Sequence, residues 1–253
     1  MAISKINSLS LSNVAKVNSL AKGSMAKLNS LTNVTFANTR SLALDGVNDH
    51  VTADGIFNDI NVSVGTVSAW AKLDSTSINA ILFKFDVDTN NQVSIAYLNG
   101  SSKLRFQYKA GGTQDKIDHS VSIENDGNHH HFMITWDKSA DQMKGYIDGS
   151  QVGSTQTGLG TWSGTVNAFR IGMNSIANNG FWAGHIDQFS MFTSVVSPST
   201  LYNGGTVPDL TGTSNMIAWW QMEEGSGTTV ADSSGTGNTA TLVDGPTFST
   251  DIV

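Results

Sequence analysis

Cysteine is absent from the 253 residues, so neither a disulfide framework nor a thiolate metal site is available to this chain. Proline occurs three times, too rarely for a proline-rich linker or a collagen-like repeat. Charged residues make up 14% of the chain, against about 25% in an average soluble domain, and a long helical protein would carry far more Glu, Lys and Arg. No run approaches the roughly 18 consecutive apolar residues of a membrane span, so membrane insertion is not expected. Residues 1–22 alternate single apolar residues with Ser, Asn and Lys and do not read as a secretory signal. What remains is a surface of Ser, Thr, Asn and 25 glycines, a β-rich composition whose length suits one sandwich with appendages.

Charge is unevenly spread. Lys5, Lys16, Lys22, Lys27 and Arg40 precede the first acidic residue, Asp45, and the rest of the chain sets nine basic against 21 acidic groups. So acidic a body repels phosphate backbones, and nucleic acid is not expected as a partner. The basic arm suits an acidic protein surface or the acidic body of a neighbouring copy.

That arm, residues 1–37, contains three copies of one unit at a step of 11. Their apolar positions are Ile3, Ile6 and Leu9, then Val14, Val17 and Leu20, then Met25, Leu28 and Leu31. Each triplet needs a partner outside its own unit, a stacked neighbour or another chain, so the arm is expected to drive attachment or homo-oligomerisation. An 11-residue period fits a right-handed supercoil of helices. Recurrent Ser and Asn oppose helix formation and favour an extended or turn-punctuated arm. A low-complexity disordered tail is the third reading, and the regular triplets of Ile, Val and Leu argue against it.

From Ser41 onward, short β-rich runs alternate with Gly, Asn and Asp turns. Examples are 65–71, 92–97, 103–108, 132–136 and 143–147. Asn99-Gly100 and Asp148-Gly149 stand where type I′ hairpin turns need positive φ. Regularly spaced strands of this kind predict an all-β sandwich or barrel.

Five segments then follow in order: Ser41-Leu42-Ala43-Leu44-Asp45-Gly46, Val67-Ser68-Ala69-Trp70, His130-His131-Phe132-Met133-Ile134-Thr135-Trp136, Tyr146-Ile147-Asp148-Gly149, and Gly184-His185-Ile186-Asp187-Gln188-Phe189. Together they resemble the successive signatures of the laminin G-like, concanavalin A-like jelly-roll family over about residues 41–203. His129 departs from the pattern, since the family usually has Trp before its paired histidines. The resemblance implies an all-β concanavalin A-like jelly roll over residues 38–208, with Trp70 and Trp136 buried on core strands. Residues 215–249 are similar to the stretch that normally comes first in this family, so residues 209–253 are expected to complete the sandwich of this chain or of a neighbouring subunit.

Each candidate site has a plainer reading beside it. A retaining glycosidase needs two carboxylates about 5–5.5 Å apart. The glutamates are Glu124, Glu223 and Glu224, none spaced for that role, and the related glucanases' Glu-x-Asp-x-x-Glu string is missing, so no catalytic residue is expected. His129, His130 and His131 cannot converge on one ion because neighbouring strand residues face opposite ways. Asp86 and Asp88 begin a calcium-loop-like run, but Asn91 and Tyr97 stand where its Gly and Glu belong, which favours a polar hairpin loop. Asp187, at the family's recurrent acidic position, is a third weak calcium candidate, and otherwise no cofactor is expected. Trp162 and Phe181, in Gly- and Asn-rich surroundings, are the candidate exposed pair for stacking on a sugar. Trp219 and Trp220, if they share a strand, must face opposite ways.

The functional expectation is a non-enzymatic virion protein, decorating a capsid or forming a tail or fibre appendage. Its lectin-like head is expected to face a host-surface glycan while the arm contacts other virion proteins. The arm's repeats resemble those at the starts of some bacteriophage virion proteins, which implies assembly in the host cytoplasm. The alternative is a secreted or surface carbohydrate-binding module.

Overall fold

The computed structural model describes residues 36–75, 79–120 and 126–253, and these form two eight-stranded antiparallel sheets. The nine apolar positions of the arm, Ile3 to Leu31, lie outside the described residues. The strands are β1 (Ser41–Asp45), β2 (His50–Thr52), β3 (Val64–Leu73), β4 (Ala80–Asp88), β5 (Asn91–Leu98), β6 (Lys103–Ala110), β7 (Thr113–Ser120) and β8 (His130–Asp137). They continue as β9 (Gln142–Ile147), β10 (Ser150–Gln156), β11 (Ala168–Ile171), β12 (Ala183–Phe192), β13 (Met216–Trp220), β14 (Thr229–Val230), β15 (Ala240–Val243) and β16 (Thr247–Ser249). One short helix, α1 (Pro198–Tyr202), follows β12, with proline at its first position where no backbone donor is lost.

The first sheet runs β10-β9-β8-β3-β12-β1-β16, and the second runs β14-β15-β2-β11-β4-β5-β6-β7. This is an all-β sandwich, one of the two architectures that the strand pattern predicts, and the jelly roll that the resemblance implies. Alternation sorts the side chains: Val67, Ala69, Ala71 and Leu73 of β3 enter the core, while Ser68, Trp70 and Lys72 stand on the outer face. Between the sheets, Phe169 and Phe189 meet edge to face at 5.9 Å, and Trp220 packs on both.

Strand β12 explains how the C-terminal segment enters the fold. Its one edge pairs with β3, while the other is shared, by β1 along Ala183–Ile186 and by β13 along Phe189–Phe192. The partners change at a bulge where Gln188 adopts φ 49°. Strand β16 extends the first sheet beside β1, and β15 extends the second beside β2. Residues 209–253 thus add strands to this chain's own sheets. Trp220 faces the core and donates Nε1–H to the Asn238 carbonyl at 2.7 Å, and Trp219 faces the opposite way, bonding Gln188 Oε1 at 2.9 Å.

The two Asx-Gly pairs expected at hairpin turns fold differently. Asp148 and Gly149 form the β9–β10 turn with φ of 48° and 74°, as a type I′ turn requires. Asn99-Gly100 does not: those residues belong to a 3-10 turn, Asn99–Ser101, and the left-handed residue is Ser102 at φ 49°. The longer connection relieves Asn99 and Gly100 of positive φ.

Candidate functional site

The outer face of the first sheet is not left to solvent. After β12 the chain doubles back as α1 and the stretch to Leu210, placing Leu201, Pro208 and Leu210 beside Ser68, Trp70 and Ser190. Tyr202 of α1 stacks on Trp70 with ring centroids 5.7 Å apart and planes inclined by 26°. Beside this stack lies a cleft of about 430 Å³, walled by Trp70 and Tyr202, by residues 127–130, by Asp148, and by residues 251–253. That volume falls in the range of small-molecule sites, roughly 300–1,000 Å³.

Three consecutive histidines, two of them walling this cleft and the third buried behind it, have three different environments. His130 lies between two carboxylates, with Nδ1 2.8 Å from Asp148 Oδ2 and Nε2 2.8 Å from Asp126 Oδ2. The Asp148 hydrogen bond, aided by Asp126, outweighs burial and pushes the imidazole up to about 9, so it is a fixed cation that ties down the rim. His131 is fully buried, with Nε2 2.6 Å from Ser68 Oγ, and burial pushes it down to about 4. His129 is also pushed down to about 4 by burial, with Nδ1 3.7 Å from Asp251 Oδ1.

Asp251 is the anion of a second cluster. Its carboxylate bonds Lys72 Nζ and lies 3.6 Å from His185 Nε2, while its backbone carbonyl accepts the Ser41 hydroxyl. Burial alone would raise the Asp251 carboxyl, but the Lys72 hydrogen bond and the nearby His185 hold it below the usual range. The Asp251 hydrogen bond in turn raises Lys72.

The polar accounting is incomplete here. All six tryptophans are described, and five donate their indole N–H: Trp136 to Asn61 O, Trp162 to Gly164 O, Trp182 to Lys72 O, Trp219 to Gln188 and Trp220 to Asn238. Trp70 Nε1 is buried without a partner, and so is His129 Nε2. Buried polar groups are ordinarily satisfied, and this cleft brings two unpartnered nitrogen atoms, on Trp70 and His129, into its walls. The arrangement suits recognition rather than nucleophilic chemistry. The Ser68–His131 pair is buried, and His131 Nδ1 has no acid to orient it.

The sequence candidates fall elsewhere. Trp162 is half-buried, its ring 6.0 Å from Phe85 and 6.1 Å from Tyr108, so it packs on the core instead of standing free. Phe181 is half-buried beside Gly180, whose carbonyl accepts the Ile81 N–H at the other end of β4. Four residues separate Ile81 from Phe85, roughly 13 Å of strand, so Trp162 and Phe181 do not form one stacking platform.

The acidic candidates do not converge either. Asp88 caps the β4–β5 turn, accepting the Asn90 and Asn91 N–H groups at 2.8 and 2.9 Å, as the polar-hairpin reading has it. Asp86 is buried under Ser175 on the second sheet, and burial raises its pKa. Asp187 is fully buried on the first sheet, where burial pushes it up to about 8 and Asn38 Nδ2 donates to it at 2.9 Å. The three aspartates thus lie apart, Asp187 on the first sheet and Asp86 and Asp88 on the second. Among the described residues no group of three or more His, Asp or Glu side chains is arranged to hold a metal ion.

Lys72, His185, Tyr202 and Asp251 are not among the sequence candidates; Trp70 is buried as expected, at 4% exposure, but on the outer face of its sheet and not between the sheets. The sequence's one signal for this cleft is His129, the departure from the family pattern.

Comparison with known proteins agrees with the fold. No curated protein sequence matches this chain. Among solved structures, a candidate carbohydrate binding protein from Bacteroides ovatus superposes with a TM-score of 0.63 at 12% identity over 85% of this chain, which spans 60% of that protein's length. The CBM40 module of the Ruminococcus gnavus IT-sialidase, solved with α2,3-sialyllactose, gives 0.54 at 12% identity, covering 64% of this chain and 95% of the module. The heptameric SAP-like pentraxin of Limulus polyphemus gives 0.55 at 16% identity, covering 85% of this chain and 96% of the pentraxin. At such identities these likenesses concern the fold. Residues 45–201 match the Laminin_G_3 family model, and this chain therefore belongs to the concanavalin A-like lectin/glucanases superfamily.

Proposed function

We propose that this chain is a non-enzymatic virion protein, a capsid decoration or a tail or fibre appendage, whose head binds a glycan in the cleft beside Trp70. The observation that carries the glycan part is the unpartnered Trp70 indole N–H next to the Trp70–Tyr202 stack. Sugars are held by a few convergent polar groups over an aromatic surface, and this cleft offers His130 and Asp148 beside the half-buried Tyr202 ring, with Trp70 behind it. The Ruminococcus module solved with sialyllactose is a relative in fold that supports the same reading.

The virion part rests on the arm. Three units with an apolar triplet each call for a partner outside the unit, either other virion proteins or further copies of this chain. Assembly then takes place in the host cytoplasm, and binding needs no metal. The second reading, a secreted or surface carbohydrate-binding module, is favoured by the Bacteroides and Ruminococcus relatives.

Immunogold labelling of purified particles together with a glycan array tests both parts. Labelled capsids or tails, and array binding unchanged by EDTA, are expected. Array binding without particle labelling would favour the second reading, and loss of array binding in EDTA would return calcium to the account.

A further inference from the structure

We infer that Lys72, His129 and His185 form a carboxylate subsite for an acidic sugar, and that Asp251 fills this subsite from within the chain until such a ligand displaces it. The inference rests on the glycan-binding reading above and names the ligand class.

The nitrogen side is built on rigid structure, with Lys72 as its cation and His129 and His185, both lowered by burial, as neutral hydrogen-bonding rings. Lys72 and His185 are cross-strand partners on β3 and β12, and the His129 side chain, just ahead of β8, is only 4% exposed. Lys72 is likewise held, with 12% of its side chain exposed. The anionic side is different. Asp251 follows β16 in a stretch without regular structure, and 40% of its side chain is exposed. A carboxylate reachable from solvent, seated among buried nitrogen atoms, is the partner that exchanges.

Three further facts fit that exchange. Asp74 Oδ1 stays 3.6 Å from Lys72 Nζ whichever carboxylate takes the other position, so replacing Asp251 by a ligand carboxylate leaves the charge of the cluster unchanged. His129 Nε2, now without a partner, gives the incoming acid a hydrogen-bonding nitrogen that Asp251 does not use. Residues 251–253 wall the same cleft as Trp70 and Tyr202, so their departure widens the space in which the sugar ring meets those rings.

The test uses the full chain, with glucuronic acid as probe and glucose as the neutral control, in isothermal titration of wild type and Asp251→Asn. The variant is expected to bind glucuronate about fivefold more tightly than wild type, the equivalent of releasing a partly exposed ion pair of ~1 kcal/mol. Glucose affinity should be the same in both chains, and adding Lys72→Gln should remove the gain. As a check that needs no variant, glucuronate should shift the His129 and His185 imidazole resonances of wild type together with the Asp251 amide. Equal glucuronate affinity in the two chains, or shifts that spare these three residues, would overturn the inference. Array binding of neutral glycans with no response to glucuronate would overturn it while leaving the proposed function intact, whereas no glycan retained by either chain would remove both.

Discussion

The imidazole Nδ1 of His130 lies 2.8 Å from Asp148 Oδ2, joining the start of β8 to the turn between β9 and β10. Because the Asp148 hydrogen bond raises His130 from 6.5 to about 9, the folded state holds a proton that the unfolded state gives up. Its stabilisation is complete below pH 6.5 and is lost as pH rises through 9, at most about 3 kcal/mol and less once solvent screening of this half-exposed pair is taken off. Melting temperature should therefore fall between pH 7 and 9.5 in wild type and fall less in His130→Gln. Below pH 6.5 the sign reverses for His129 and His131, whose folded values of about 4 mean that the unfolded chain takes up protons first. An acid limb to the stability curve is expected between pH 6.5 and 4.

Asp187 gives a prediction of the same sense as His130, opposite to that of His129 and His131. Its folded value of about 8, raised by burial, makes the folded state bind a proton that the unfolded chain releases above pH 3.8. Stability from this group falls as pH rises from about 4 to 8. Asp187→Asn keeps an acceptor for Asn38 and removes the charge, so it should be more stable than wild type at pH 8 by at least about 1 kcal/mol, with the gap closing near pH 4. Equal melting temperatures at pH 8 would contradict the burial cost.

Gly65 is a packing requirement. A methyl group there would stand 2.4 Å from Trp136 Cζ2 and 2.9 Å from the Phe192 carbonyl oxygen. Gly65→Ala should cost about 1–3 kcal/mol or more, read from urea unfolding, since the backbone oxygen cannot give way. A variant of wild-type stability would show that β3 can move off β8.

Ending the chain after Asp209 should unfold or aggregate the head. The cut removes β13 from the edge of β12 and β15 from the edge of β2, along with the fully buried Trp220, Val230 and Ala240. Losing the Trp220 side chain alone costs about 3–5 kcal/mol, a large part of the stability of an ordinary domain. A soluble head with unchanged melting temperature would make the C-terminal strands dispensable.

The strands were legible because half-buried sheet alternates in sequence as it does in space. Residues 132–136 and 143–147 were both read as strands, and both pair in the first sheet. The same alternation placed Trp219 and Trp220 on opposite faces. The site was illegible for the complementary reason. Ser68, Trp70 and Lys72 form the outward set of β3, which alternation assigns to solvent or, for Trp70, to a core, whereas here residues after β12 fold over that face. Lys72 and Asp251 are 179 positions apart, and only the β16 pairing with β1 brings the chain back to β3's neighbourhood. No local pattern encodes that meeting. Trp162 misled for a related reason, since a glycine-rich context marks a loop but does not say that the loop lies back on Phe85 and Tyr108.

On the function proposed above, a glycan is held at the Trp70 indole. The most direct measurement is the indole N–H spectrum of the full chain during titration with a glycan retained on the array, with the Trp70 resonance assigned by its loss in Trp70→Phe. A saturable shift of that resonance, with the Trp136, Trp182 and Trp220 resonances unmoved, is predicted. Saturable binding that leaves the Trp70 resonance in place would put the glycan elsewhere on the sandwich and contradict the account.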